Sequence, residues 1–511
     1  MYKNLVSVGG LTLLSRGAGF LRDVLLAAVL GGGLLNDAFV VAQRLPNHFR
    51  TIFGEGAFNS AYVPSYALVL SSEGLAGARR FSGQIFLGLL VSQLIVLGLA
   101  FAFTPALIDL LAPGFRADPE KFALTVTLTR ITFPYLLFIT LVTLQSGTLN
   151  AHRLFVAAAF TPVVMNMTII VFLFLAFLFA NPGLAASWGL TVSGVLQFVL
   201  TTAAAHHARI FEHFAGPVVW KHIKHFLVTL GPAVIGSAGT QIALFADTII
   251  SSLLPTGGVS SIYYADRIYQ LPLGVIGIAA GTVLLPEMSR LFAADNPGGA
   301  LHAQNRTMAL SLALTAPFFI AFIMIPDEIM RGVFERGAFT AQAASASAAV
   351  LTAYGFGLVA IVLLRSAVAS FQAQGDTTTP MLIALCAVAI NVALKIVLFK
   401  PMGAAGLAAA TAVGAWINLL ALCFFAIRRD AMKIDLFLWK TVTVVTMASF
   451  VLAVFALFSA APAGRLTAGL GHFAHVLELL ILGAAGALVY ALVLFAGLRI
   501  ADVQLKRSRA V

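Results

Sequence analysis

Residues 15–59 hold the charges that most need explaining. Arg16 and Arg22 lie in one apolar stretch, and Arg44 and Arg50 lie in the next. An arginine at the centre of a membrane helix costs about 2.5–3.5 kcal/mol on insertion scales, so four facing lipid would cost roughly 10–14 kcal/mol. They are therefore expected to line a wet interior and to hold something anionic there. Guanidiniums bind phosphate through forked, charge-assisted hydrogen bonds, which makes a phosphorylated ligand the first choice. A carboxylate would also fit. The alternative is internal salt-bridging to Asp23, Asp37 and Glu55, although the four arginines outnumber these three acids; in the second half Tyr263-Tyr264-Ala265-Asp266-Arg267 contributes one further cation, Arg267.

Spacing sets a condition on the helices. Asp23 follows Arg16 by seven residues and Asp37 precedes Arg44 by seven, so each pair shares a helical face. Arg16 and Arg22 are six apart, as are Arg44 and Arg50, and six residues turn a straight helix by roughly 240°. Both members of a pair face one cavity only if the helix bends, at Gly17–Gly19 in the first case and at Pro46 in the second.

The elements that must position these side chains are membrane helices. The chain has 511 residues, 60% hydrophobic and 10% charged, against about 25% charged in soluble domains. Apolar runs of spanning length fall at 5–30, 34–56, 81–111, 122–149, 156–180, 184–207, 226–254, 259–286, 303–326, 343–372, 380–399, 403–427, 437–460 and 472–499, fourteen in all. No cleavable signal peptide is apparent, because the first run holds Arg16, Arg22 and Asp23. With the N-terminus inside, seventeen Lys and Arg fall in inner segments, six in outer segments and eight within spans. That ratio puts both termini in the cytoplasm and accounts for the +11 charge without nucleic acid.

An internal repeat divides the chain. Asp23-Val-Leu-Leu-Ala-Ala-Val-Leu returns as Asp247-Thr-Ile-Ile-Ser-Ser-Leu-Leu, Leu45-Pro46 as Leu271-Pro272, and Val63-Pro64 as Leu285-Pro286, at offsets of 218 to 226 residues. Two six-span lobes follow, 1–214 and 215–434, with 435–511 as an appendix of two spans and a basic tail. Parallel repeats of this kind bind substrate between halves and alternate their access.

Other chemistry is thin. Cys386 and Cys423 sit in apolar segments and make no disulfide or metal pattern. The histidines of 206–225 lack metal-ligand spacing and are expected to form a solvated basic loop. Arg130, Arg365 and Lys395 each stand alone in a span, as snorkelling or singly paired residues do. Gly277-Ile-Ala-Ala-Gly281 favours close helix contact. Asn166-Met-Thr168 matches a glycosylation sequon but lies inside an apolar span, so it is set aside. No phosphate loop, zinc motif or nucleophile elbow occurs, so an enzyme is not expected and no cofactor is implied.

Taken together, Ser15-Arg16-Gly-Ala-Gly-Phe-Leu-Arg22-Asp23, Asn36-Asp37, Leu45-Pro46-Asn47, Arg50, Phe53-Gly-Glu55-Gly-Ala-Phe58 and Tyr264-Ala-Asp266-Arg267 resemble the signature of the MurJ (MviN) lipid II flippases. The resemblance implies an all-α MOP-type fold related to MATE transporters, with two six-helix lobes and two C-terminal helices bordering a hydrophobic groove for a lipid tail. It implies lipid II as substrate, moved from the inner to the outer leaflet of the bacterial cytoplasmic membrane. Membrane lipids and other cell-wall synthesis proteins are its implied partners. The family's cavity arginines carry onto Arg16, Arg22, Arg50 and Arg267, and its aspartate onto Asp37. Arg44 stands where relatives often carry lysine, and Asp37 and Asp23 are expected to compete for the arginines. No ATP is implied, and membrane potential is the favoured energy input. The alternatives are an exporter of another polyprenyl-pyrophosphate oligosaccharide, a MATE-like antiporter, and a transferase acting on lipid phosphate.

Overall fold

The computed structural model describes residues 2–50, 57–214 and 216–502, without the side chains of 2–7, 45, 49, 50, 57, 235–243, 278, 279, 470 and 472. It is helical, and no strand occurs among the described residues. The chain divides into two compact units, Met1–Val259 and Ser260–Val511.

The first unit contains α1 (Tyr2–Leu30), α2 (Leu34–Arg50), α3 (Ala57–Leu111), α4 (Pro119–Thr132), α5 (Pro134–Ala151), α6 (Phe155–Phe174), α7 (Pro182–His207) and α8 (Trp220–Ser252). The second contains α9 (Gly258–Pro272, which begins just before the division), α10 (Ile278–Ala293), α11 (Pro297–Met324), α12 (Pro326–Phe334), α13 (Ala341–Gln372), α14 (Thr378–Arg428), α15 (Leu436–Thr467) and α16 (Ala474–Ile500). Helix starts follow a simple rule. Asp118, Asn181 and Asn296 each cap a helix whose first residue is proline, accepting from Lys121, Leu184 and Gly299 amides. The cap fills an orphan donor, and the proline needs none.

Every one of the fourteen apolar runs lies on helix, within the described residues. Among the described residues, ten helical stretches are long and apolar enough to cross a membrane by themselves. The runs at 5–30, 34–56 and 226–254, on α1, α2 and α8, are not among the ten, and 380–399 and 403–427 form one stretch. Two runs meet on α14 across a single residue, Gly403, at φ 56° and ψ −135°. Another Gly, Gly74 at φ 69°, breaks α3 between its first part and its apolar run. Positive φ costs glycine little and other residues much. Helix α14 is apolar yet only 11% of its core window is covered by protein, whereas α7 is 56% covered. An apolar helix left uncovered belongs at the lipid boundary.

Within the first unit α1 packs on α6 and α7, α2 on α4, and α3 on α5 and α8. One buried polar cluster inside it is centred on Tyr62, whose Oη is 2.8 Å from Ser82 Oγ and 2.7 Å from Thr148 Oγ1. In the second unit α13 packs on α14, and α11 on α13 and α15, with α16 lying against α15.

Candidate functional site

Helix α1 runs as one helix through Gly17–Gly19, and α2 runs through Pro46. The bend that would bring both arginines of a pair onto one face is replaced by a division of labour. Arg16 is exposed, while Arg22 is half-buried in a fork of protein oxygens. Its Nε and Nη2 donate to Asp23 Oδ1 at 3.0 and 2.7 Å, and its Nη1 donates to Asn166 Oδ1 of α6 at 2.9 Å. Asn166 also turns its Nδ2 back to the Ser15 carbonyl of α1 at 3.0 Å. One amide thus fixes both a guanidinium and the helix that carries it.

Helix α2 presents a second group. Asp37 is fully buried, and its Oδ2 accepts from Lys121 Nζ at 2.7 Å and from the Gly257 amide at 2.8 Å. Lys121 is held in turn by the Asp118 cap and lies 4.1 Å over the Phe115 ring. So Asp37 meets a lysine from the start of α4, a partner the sequence reading did not assign to it. A buried ion pair needs such extra bonds to repay its desolvation. Glycine is required at 257, where φ is +93° and a Cβ would meet the Gly32 carbonyl at 2.9 Å.

Further along α2, Arg44 Nη1 donates to Ser251 Oγ of α8 at 3.3 Å. His48 Nε2 lies 3.4 Å from Thr248 Oγ1, and its ring packs 5.0 Å from that of Phe245. Arg50 ends α2, but its side chain, like Glu55, lies outside the described residues. The basic tail beyond 502 lies outside them too.

In the second unit Arg267 sits on α9 with its guanidinium 4.7 Å from the Tyr263 ring centre and 4.0 Å from Asp266. Gln270 Nε2 donates to Asp266 Oδ2 at 2.5 Å, which shares that carboxylate. Directly after Pro272 the chain makes a π turn over Leu273–Gly277. Such turns occur where a helix is re-aimed. The same unit holds an apolar groove of about 470 Å³ between α11, α15 and α16, lined by Pro317, Phe318, Leu452, Phe455, Gly486 and Tyr490 among others. Among the described residues no three histidine, cysteine or acidic side chains cluster as a metal site.

The structure therefore gathers Arg22, Asp23 and Asn166 into one fork, and sets Asp37 in a separate buried pair.

 Asp23 is the α1 acid in that fork, 2.7 Å from Arg22. Asn166 is the residue the sequence reading missed. Its one visible signal, the sequon, pointed to different chemistry.

Comparison with known proteins fits this geometry to a family. Residues 26–481 match the family described as MurJ, lipid II flippase. A probable lipid II flippase MurJ of Rhizobium meliloti (strain 1021) is 42% identical over 428 residues, covering 83% of this chain and 80% of the relative. One from Rickettsia prowazekii (strain Madrid E) is 34% identical, covering 89% and 90%. Among solved structures, a lipid II flippase MurJ in an inward closed conformation superposes with a TM-score of 0.79 at 26% identity, covering 97% of this chain and all of that one. An inward-facing MATE transporter of the MOP superfamily shares the fold, with a TM-score of 0.66 at 14% identity.

Proposed function

The chain belongs to the MurJ family of lipid II flippases, and from that premise we propose how its residues move lipid II across the bacterial cytoplasmic membrane. Arg16, Arg22, Arg50 and Arg267 bind the pyrophosphate and head group, with Arg44 as an auxiliary cation. The polyprenyl tail stays in lipid and rests in the apolar groove beside α15 and α16. The two lobes, 1–214 and 215–434, alternate access, fourteen helices cross the membrane and both termini are cytoplasmic. No bond is made or broken, and the partners are lipid II, membrane lipids and other cell-wall synthesis proteins.

The observation that best supports this reading is the Arg22 fork. A guanidinium half-buried in an apolar helix pair is costly unless it is used, and Asp23 and Asn166 hold it in place rather than burying it completely. Asp23 also competes with a phosphate for the same nitrogens, which keeps the substrate from being held too tightly to leave. Asp37 acts differently in this reading: its pair with Lys121 secures α2 against α4 and the turn before α9.

The test is complementation of a strain depleted of its own lipid II flippase. The wild-type chain is expected to restore growth, and Arg22→Ala and Arg267→Ala to fail at normal membrane levels. Full flipping by either variant would remove that arginine from the site.

A further inference from the structure

Residues 208–219 join α7 to α8, between the last helix of the first repeat and the first helix of the second. Residues 208–214 and 216–219 lie as a strap along α3. Arg79 Nε donates to the Phe211 carbonyl at 2.7 Å, and the His213 amide donates to the Arg79 carbonyl at 2.9 Å. Gln84 Nε2 donates to the Pro217 carbonyl at 2.9 Å, and the Val219 amide donates to Gln84 Oε1 at 3.4 Å. Gly83 lies so close under the His213 carbonyl that any side chain there would collide with it.

This path drives Glu212 into the end of the first unit, where it is 3% exposed. The polar groups around it are already engaged. Tyr62 is bonded to Ser82 and Thr148, Tyr66 to His152 at 2.9 Å, and Gln145 Oε1 accepts from Thr201 and Thr202. Neither carboxylate oxygen of Glu212 meets a hydrogen bond of normal geometry among the described residues. An ionised carboxylate so placed is costly, and taking up a proton removes most of that cost.

We propose that Glu212 is a proton-binding site that locks the strap: docked on α3 it is the neutral acid, and its ionisation releases the strap and one proton to water. Burial pushes the Glu212 carboxyl above its usual range, opposed by weaker pulls from its own amide, Gln145 and Arg79. The sign follows. Docking is fully supported below the ordinary glutamate value of about 4.3, and is lost as pH rises through the raised value of the docked state.

Other groups near the strap bear on the same experiment. Helix α3 contributes Arg79, Tyr62 and Tyr66 beneath Glu212, with Arg80 under Gly216. Helix α5 contributes Gln145 and, through Tyr66, His152, whose ring burial pushes below its usual value and so keeps neutral. From α7, His206 stacks on Phe211 at 4.2 Å. The strap itself carries Arg209 and His213. On α8, His222 Nε2 lies 2.7 Å from Glu73 Oε1.

Hydrogen exchange of the strap amides, read by mass spectrometry on the full chain in lipid nanodiscs between about pH 5 and 9, tests the proposal without substrate. After correction for intrinsic exchange, wild-type protection is expected to fall by up to about tenfold per pH unit between the ordinary glutamate value and the raised docked value, and to level off above it. Glu212→Gln, a neutral isostere, is expected to keep the strap protected and flat with pH, while His222→Gln keeps the wild-type slope. A wild-type strap with no pH response overturns the proposal. So does a Glu212→Gln strap that keeps the wild-type slope, or a slope that vanishes in His222→Gln. None of these outcomes depends on which lipid is carried.

Discussion

Arg22 spends its guanidinium on protein oxygens before any substrate arrives. Two nitrogens meet Asp23 and a third meets Asn166, so a pyrophosphate bound as proposed would have to share or displace them. Hydrogen bonds to charged groups contribute about 1.5–3 kcal/mol. Asn166→Ala is therefore expected to weaken lipid II binding by about tenfold or more, read by titration of the purified protein at unchanged membrane levels. Asn166→Asp should separate orientation from charge, because it keeps the contact but neutralises the arginine, and is expected to weaken binding as well. The arginines and Asp23 were legible in the sequence because charge inside an apolar run is conspicuous. Asn166 was not. It lies 144 residues from Arg22, and periodicity within α6 cannot reveal which face α1 will meet.

At the scale of elements, the start of α4 is built around one lysine. Asp118 caps the helix through the Lys121 amide, and the same residue's ammonium fills the Asp37 site. Removing one partner of a buried pair leaves the other charge uncompensated, at about 3–5 kcal/mol. Lys121→Met is expected to lower thermal stability by that amount in detergent, with Lys121→Met/Asp37→Asn recovering much of it. If the double variant is no more stable than the single one, the pair is not what holds α2 to α4. Helix content was legible from the apolar runs, and each run is found on helix. The joints were less so. Spans 380–399 and 403–427 read as separate helices, but the chain turns between them on Gly403 alone. The π turn after Pro272 leaves no mark beyond the proline itself. Lys121 is one of the six outer cations, just ahead of the run 122–149, whereas its real environment comes from α2.

For the whole molecule, the groove of the second unit is the feature that composition could not locate, since every apolar helix offers similar surface. Its lining is almost entirely carbon, with Gly483, Gly486 and Ala487 keeping α16 low along one wall. Ala487→Trp, which fills part of this space from an exposed position, is expected to slow lipid II flipping in reconstituted vesicles while leaving protein levels and head-group binding intact. Unchanged flipping would place the tail elsewhere. The strap has a separate consequence for how the chain could be made. The boundary between units falls after Val259, inside the first turn of α9, so a gene divided there would sever a helix. Division within 208–219 severs none, and the strap's bonds to Arg79 and Gln84 lie on both sides of such a cut. The strap is thus the natural seam for producing this transporter from two separately translated polypeptides.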